Sequence, residues 1–190
     1  VTSAFLTCAK EKEMLILNFL KAGYRYGKKI NSMLVLDEVT EINNAVRKLN
    51  REVGKYLGFV RFSVAGKVLY SVIEPRNNVL PLLAEHFCDR YANEAFMIYD
   101  KGRKSALVYR PHEYVIVPIE DWQVPLPDKT EMEYRLLWKR FYETIAIEGR
   151  TNPRCQRNLM PKRYWKHLTE MTTFEKQGQN TPMIGQGGQM

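Results

Sequence analysis

The chain has 190 residues, 45% of them hydrophobic and 26% charged. These fractions are typical of a folded soluble protein, and the length suits one substantial core better than two. The formal net charge of +8 attracts polyanions but names no partner. No apolar run approaches the roughly 18 residues needed to span a bilayer, so we expect a cytoplasmic protein with no membrane partner.

The three cysteines, Cys8, Cys88 and Cys155, are far apart and form no Cys-x-x-Cys pair. This spacing argues against a disulfide framework and against zinc or iron–sulfur ligation, so we expect no metal and no cofactor. The first residue is Val1, which suggests a processed chain or a piece of a longer one.

Apolar residues recur at helical spacing in two N-terminal segments. The first spans about residues 3–22 and predicts one or two helices that face the core. In the second segment, apolar residues lie three and four residues apart up to Gly58, which we expect to end the helix. Its members are Val39, Ile42, Val46, Leu49, Val53 and Tyr56.

After Gly58 the apolar period changes to about two, which is typical of strands. Residues 59–64 and 68–73 flank Ala65-Gly66-Lys67 and predict a β-hairpin. The next segment, residues 79–91, predicts a helix with Pro81 in its first turn.

A second hairpin is predicted from residues 96–99 and 105–109, and a fifth strand from residues 114–119. Prolines then interrupt the chain before a helix over about residues 130–147. We expect the apolar residues of this helix to point inward: Met132, Leu136, Phe141 and Ile145.

Asn152-Pro153 predicts another helix start, and Pro161 stops or kinks that helix. The elements together predict an α+β fold in which N-terminal and C-terminal helices cover a mostly antiparallel sheet of four or five strands.

We expect a single domain over residues 1–172, followed by a disordered tail at residues 173–190, where little can be buried. Within the domain, residues 1–57 and 128–172 are predicted to be helical. Residues 58–119 are predicted to form the sheet with one helix.

The segment from Gly149 to Thr169 contains six cations and no acid. Cations interleaved with aromatic rings suit a phosphate backbone with bases stacked beside it. The candidate nucleic-acid-binding residues are Arg154, Arg157, Lys162, Arg163, Tyr164, Trp165 and Lys166. Alternatively, Tyr164, Trp165 and Leu168 form the apolar stripe that docks a C-terminal helix, and the cations are its solvated face.

A catalytic alternative uses Glu74 at a strand end with His86 and Asp89 on the following helix. Water activation by a carboxylate or a histidine is the chemistry of base-excision hydrolysis. However, His86 and Asp89 could simply bond each other at the surface, and the chain has no recognised catalytic motif. Whether the protein is an enzyme is therefore left open.

Several motifs in the same order resemble an uncharacterised bacterial family regarded as DNA metabolism or repair proteins. They are Gly58-Phe59-Val60-Arg61-Phe62, Ile73-Glu74-Pro75, Val79-Leu80-Pro81-Leu82, His86-Phe87, Asp89-Arg90, Ile98-Tyr99-Asp100 and Met160-Pro161-Lys162-Arg163-Tyr164-Trp165-Lys166. The resemblance extends from about Leu15 to Leu168.

This resemblance implies a role in DNA metabolism or repair and DNA as a partner. Family members are typically encoded beside a radical-SAM protein and are sometimes fused to a uracil-DNA-glycosylase-like domain. This chain has neither the cluster-binding cysteines nor the glycosylase motifs. We therefore expect an accessory or DNA-engaging protein, whose basic segment could instead dock the radical-SAM partner.

Overall fold

The computed structural model describes residues 1–120 and 122–171. The helices are α1 (Thr2–Phe5), α2 (Lys12–Tyr26), α3 (Asp37–Phe59), α4 (Leu80–Arg90), α5 (Lys129–Ile145) and α6 (Pro153–Leu159). The strands are β1 (Ser63–Ala65), β2 (Val68–Ile73), β3 (Phe96–Asp100), β4 (Ser105–Arg110) and β5 (Glu113–Pro118). Short 3-10 helices span Gly27–Ser32, Glu148–Arg150, Lys162–His167 and Thr169–Met171.

The strands form one open sheet in the order β1-β2-β3-β4-β5. Strands β2 and β3 are parallel, and the other neighbouring pairs are antiparallel. Helix α4 connects the parallel pair, as a crossover must. The predicted α+β fold, a mostly antiparallel sheet with N-terminal and C-terminal helices, is confirmed. The tail predicted at residues 173–190 lies outside the described residues.

One face of the sheet carries the main core. Ile73, Phe96 and Ile98 point to this face and pack with α3 and α4. The 3-10 helix Lys162–His167, hereafter the basic 3-10 helix, contributes Tyr164 to the same core, and Leu168 follows it. Because both side chains are almost fully buried, the end of the described chain is part of the fold.

The opposite face is covered by the segment that follows β5. Tyr70 and Tyr99 pack edge-to-face against Trp122, with ring centroids 5.7 and 5.1 Å apart. The Tyr70 hydroxyl donates to the carbonyl of Pro125 at 3.2 Å, and that of Tyr99 donates to the carbonyl of Ile119 at 3.3 Å. These contacts hold Ile119, Trp122 and Pro125 against the sheet.

The predicted strand over residues 59–64 is wrong at its start. Helix α3 continues through Gly58 to Phe59, and β1 begins only at Ser63. Packing explains the difference, because Phe59 lies 5.2 Å from the ring of Tyr164 and Phe62 lies 5.6 Å from that of Phe87. These aromatic contacts outweigh the alternating pattern that predicted a strand.

A further expectation, about helix α5, is also wrong. Leu136, Phe141 and Ile145 of α5 were expected to point inward but are 42, 52 and 56% exposed. The helix is held by polar contacts instead: Glu131 accepts from the Val64 amide at 3.3 Å, and Arg135 donates to the Ser63 hydroxyl at 2.6 Å. Helix α6 ends at Leu159, before Pro161, and the chain continues as a 3-10 helix.

The buried carboxylate of Glu52 joins three parts of the chain. It lies on α3 and accepts from the backbone amides of Arg76 (3.1 Å) and Asn77 (2.8 Å) and from the Asn77 side-chain amide (2.7 Å). Arg163 of the basic 3-10 helix donates to it at 3.0 Å. Through Asn77, whose Oδ1 accepts from the Cys8 amide at 2.8 Å, the network reaches the N-terminal segment.

The change Glu52→Ala should lower the free energy of unfolding by about 3 kcal/mol, because it leaves several buried donors without an acceptor. Urea unfolding followed by circular dichroism measures this value. Glu41→Ala, an exposed carboxylate on the same helix, is the matched control and should change it by less than about 0.5 kcal/mol. Equal free energies for the two variants would contradict the structural role of Glu52.

Stability should also depend on pH through Glu170. Burial alone would raise the pKa of this carboxyl group, but hydrogen bonds from Arg61 (2.8 Å) and Trp138 (3.1 Å) bring the pKa below its ordinary value. A carboxyl group whose pKa is lower in the folded state stabilises the fold at pH values above its unfolded-state pKa of about 4.3. This stabilisation is lost as the pH falls through the folded-state pKa.

We therefore expect wild type to be more stable than Glu170→Gln at pH 7, with a difference that shrinks as the pH falls below about 4. Urea titrations of both proteins across this range measure the difference. The exposed Glu133→Gln on α5 serves as the control and should track wild type throughout. A wild-type advantage that stays constant with pH would show that Glu170 acts through its shape and not its charge.

Candidate functional site

The parallel strands β2 and β3 end side by side at one edge of the sheet. Ile73 pairs with Asp100, so the loop after β2 and the turn after β3 lie next to each other. The basic 3-10 helix approaches the same edge, since its Arg163 and Lys166 bond Glu52 and Glu74. In open sheets, the carboxyl ends of parallel strands are where ligands characteristically bind.

A buried carboxylate shapes the turn after β3. Asp100 is fully buried and accepts from the amides of Gly102 (3.0 Å) and Arg103 (3.2 Å) and from the Arg103 guanidinium (3.0 Å). Burial raises the pKa of Asp100, and these hydrogen bonds oppose the rise. Arg103 also donates to the carbonyls of Pro75 and Arg76, so it clasps the loop after β2 to the turn after β3.

Basic side chains surround the Glu74 carboxylate at this edge of the sheet. The carboxylate forms an ion pair with Lys166, lies 4.0 Å from Lys101 Nζ and lies 3.8 Å from His167 Nε2. The hydrogen bond from Lys166 lowers the pKa of Glu74, so the carboxylate is ionised at neutral pH. Burial lowers the pKa of His167, whose Nε2 is buried and has no hydrogen-bond partner among the described residues.

An open cavity of about 680 Å³ lies beside Glu74 on the face opposite the main core. Lys101 and Lys104 supply cations to its wall, and Trp122 supplies an aromatic ring. The remaining lining residues are Val72, Glu74, Tyr99, Glu120, Gln123, Val124 and His167. We call this space the Glu74 cavity.

The candidate cations of the C-terminal segment divide into two groups. Arg163 and Lys166 each pair with a carboxylate, Glu52 and Glu74 respectively. Arg154, Arg157 and Lys162 are exposed, and no described carboxylate lies within 4 Å of them.

Local structure explains why α6 displays its arginines. The Asn152 side chain caps the helix by accepting from the Cys155 amide at 3.0 Å, and Pro153 occupies the first turn, as the sequence predicted. Arg154 and Arg157 are three residues apart and share one side of the helix. Since no residue of this short helix is buried, both guanidinium groups meet solvent.

The two candidate aromatics differ in accessibility. Tyr164 is 2% exposed and packs between Tyr56 and Phe59, with ring centroids 5.2 Å away, so it has no free face on which a base could stack. Trp165 is partly buried and donates to the Met160 carbonyl at 2.9 Å, and Lys162 Nζ lies 5.9 Å from its ring. The burial of Tyr164 and Leu168 agrees with the docking interpretation of this stripe.

The structure does not bring Glu74, His86 and Asp89 together. Glu74 borders the cavity on one face of the sheet, whereas α4 packs on the other face. His86 and Asp89 are both exposed on α4, and the His86 ring contacts Phe87 at 5.0 Å. The lowered pKa also makes Glu74 a weak base, so this arrangement gives hydrolysis no support.

Sequence reasoning missed Lys101, Lys104, Trp122 and His167 as site residues. The hairpin predicted from residues 96–99 and 105–109 places Lys101 and Lys104 in its turn and assigns them no other role. Lys101 reaches Glu74, and Lys104 lines the same cavity, because β2 and β3 pair in parallel, and local periodicity carries no information about such pairing. The basic turn Lys101-Gly102-Arg103-Lys104 was the available signal, since it follows a strand directly.

Two features that would indicate other classes of function are not found among the described residues. Among them, no group of three or more histidine, cysteine or acidic side chains could hold a metal ion. No helix within residues 1–120 and 122–171 has the length and apolar character that crossing a membrane requires.

Comparison with known families assigns this chain to one of them. A family model described as a domain of unknown function, DUF4130, matches residues 10–170. Neither the curated proteins nor the solved structures include a match. The matched region contains the strand-end loops, the Glu74 cavity and the basic 3-10 helix. Because the match covers most of its length, the chain belongs to the DUF4130 family, a domain of unknown function.

Proposed function

We propose that this protein binds nucleic acid as an accessory component of DNA metabolism or repair. The observation that supports binding is the exposed set of Arg154, Arg157 and Lys162, with no described carboxylate within 4 Å. Such cations can displace counterions from a phosphate backbone without first losing an ion pair. The more specific role in DNA metabolism or repair, and the radical-SAM partner, rest on the family resemblance.

The candidate residues contribute unequally in this proposal. Arg163 stabilises the fold through Glu52, so its removal would confuse binding with folding. Lys166 is paired with Glu74 but its side chain is 51% exposed, so it can add a weaker phosphate contact. Trp165 packs against the main core beside Lys162 and positions that cation. Tyr164 has a structural role.

A second candidate function is docking onto a protein partner, and α5 favours it. Tyr134, Leu137, Trp138, Phe141 and Ile145 form one stripe along this helix, and each is more than 40% exposed. Exposed apolar stripes of this kind mark interaction surfaces more often than isolated apolar residues do. The radical-SAM protein implied by the resemblance is the partner to test.

Binding to duplex DNA should depend on salt as expected for about three phosphate contacts. The logarithm of the association constant should then fall against the logarithm of salt concentration with a slope of about −3. The triple variant Arg154→Ala, Arg157→Ala, Lys162→Ala should bind at least about tenfold more weakly in low salt and have a slope no steeper than about −1, since only the weaker Lys166 contact remains. Fluorescence anisotropy with a labelled duplex measures both values.

The matched control for that experiment removes the same charge elsewhere. Lys21, Lys28 and Lys29 are exposed at the end of α2 and in the following 3-10 helix. Changing all three to alanine should preserve the slope, because only the long-range field changes. Identical affinities and slopes for the two triple variants would overturn the assignment of the C-terminal cations.

The docking candidate predicts loss of a complex when the α5 stripe is made polar. Leu137→Ser combined with Phe141→Ser should abolish co-purification of a co-expressed radical-SAM partner after nuclease digestion. Tyr24→Ser is the control, since Tyr24 is 95% exposed on α2. A complex that resists nuclease and persists in the α5 variant would count against this surface. A complex that is lost on nuclease treatment would indicate that DNA holds the two proteins together.

A further inference from the structure

The Glu74 cavity has the dimensions of a small-ligand site. Its volume of about 680 Å³ lies within the range of roughly 300–1,000 Å³ that is typical of such sites. Glu120, Trp122, Gln123 and Val124 form its outer wall, and hydrogen bonds from Tyr99 and Tyr70 to the carbonyls of Ile119 and Pro125 hold the flanking residues against the sheet. The C-terminal cations proposed above to bind duplex DNA, Arg154, Arg157 and Lys162, are not among its lining residues.

One wall presents an aromatic ring in a fixed position. Tyr70 and Tyr99 hold the Trp122 indole edge-to-face, at interplanar angles of 71° and 61°. Trp122 is only partly buried, so it keeps surface that can contact a planar ligand. A pre-positioned ring of this kind suits a nucleobase, because every base has a face that can stack.

The rim supplies cations on the side of the turn after β3. The Lys101 side chain is 68% exposed, and Lys104 is exposed with no described carboxylate within 4 Å. The Lys104 carbonyl accepts from the Ile119 amide at 2.8 Å, which ties its backbone to the segment that carries Trp122. Phosphate-binding cations and a stacking ring therefore border the same space.

Polar groups inside the cavity add hydrogen-bond acceptors to the aromatic ring and the cations. Glu74, Glu120 and Gln123 line it and can accept from the N–H groups of a base edge. The two carboxylates would repel a free ligand with several phosphates, which disfavours a nucleoside triphosphate. A single phosphate at the lysines, with a base near Trp122, fits the distribution of charge.

We propose that the Glu74 cavity receives one unpaired nucleotide of a nucleic-acid chain. Its base lies against Trp122, its phosphate is held by Lys101 and Lys104, and Glu74 and Gln123 accept from the edge of the base. This inference rests on the proposed nucleic-acid binding and adds a preference for unpaired nucleotides over fully paired duplex.

The test compares a DNA duplex that carries a single-nucleotide bulge with the fully paired duplex, by anisotropy in the same salt. The bulged duplex should bind at least about fivefold more tightly, which is the lower end for stacking one base. Trp122→Leu and, separately, Lys104→Ala should reduce this ratio toward one and leave affinity for paired duplex unchanged. Trp122→Phe should retain most of the ratio, because a ring remains.

The outcomes separate this inference from the function on which it rests. Equal affinity for bulged and paired DNA would overturn the cavity proposal and leave the C-terminal interface standing. Failure to bind either DNA would overturn both. If circular dichroism shows that Trp122→Leu is unfolded, the test uses Lys104→Ala and Trp122→Phe instead. A preference for the bulged duplex that Lys104→Ala leaves unchanged would place the bulged nucleotide outside this cavity.

Discussion

The buried Glu52 carboxylate accepts four hydrogen bonds, and the positions of the neighbouring loop and C-terminal segment depend on them. A buried carboxylate is costly unless each oxygen is satisfied, so the groups around it must be held in place. The donors come from the loop after β2 and from the basic 3-10 helix, and Glu52 itself lies on α3. The same network therefore fixes the strand-end loop and the C-terminal segment, which together form the candidate site.

The cations of the C-terminal segment have two different roles, although they lie within a few residues of one another. Arg163 and Lys166 bind carboxylates of the fold, whereas Arg154, Arg157 and Lys162 meet solvent. An acid-free run thus overstates the positive charge available to a ligand, since part of it is neutralised by distant acids. Two carboxylates, Glu52 on α3 and Glu74 directly after β2, determine which cations remain for a partner.

Much of the fold could be predicted because its signals are local. The apolar stripe of α3, the Asn152-Pro153 helix start and the turns at Gly66 and at residues 101–104 all have short-range causes. The membership in an uncharacterised family was likewise expected from ordered motifs. The site could not be assembled in this way. The approach of Lys101 to Glu74 depends on parallel pairing across α4, and the burial of Tyr164 depends on contacts with Tyr56 and Phe59.

The contact between Glu131 and β1 has a consequence for assembly. An edge strand offers unpaired backbone groups to any other strand that approaches. Here the outward amide of Val64 already donates to the Glu131 carboxylate at 3.3 Å, and β1 is only three residues long. A further strand cannot pair at that amide without displacing a buried acid. Helix α5 thereby protects this margin of the sheet from edge-to-edge aggregation.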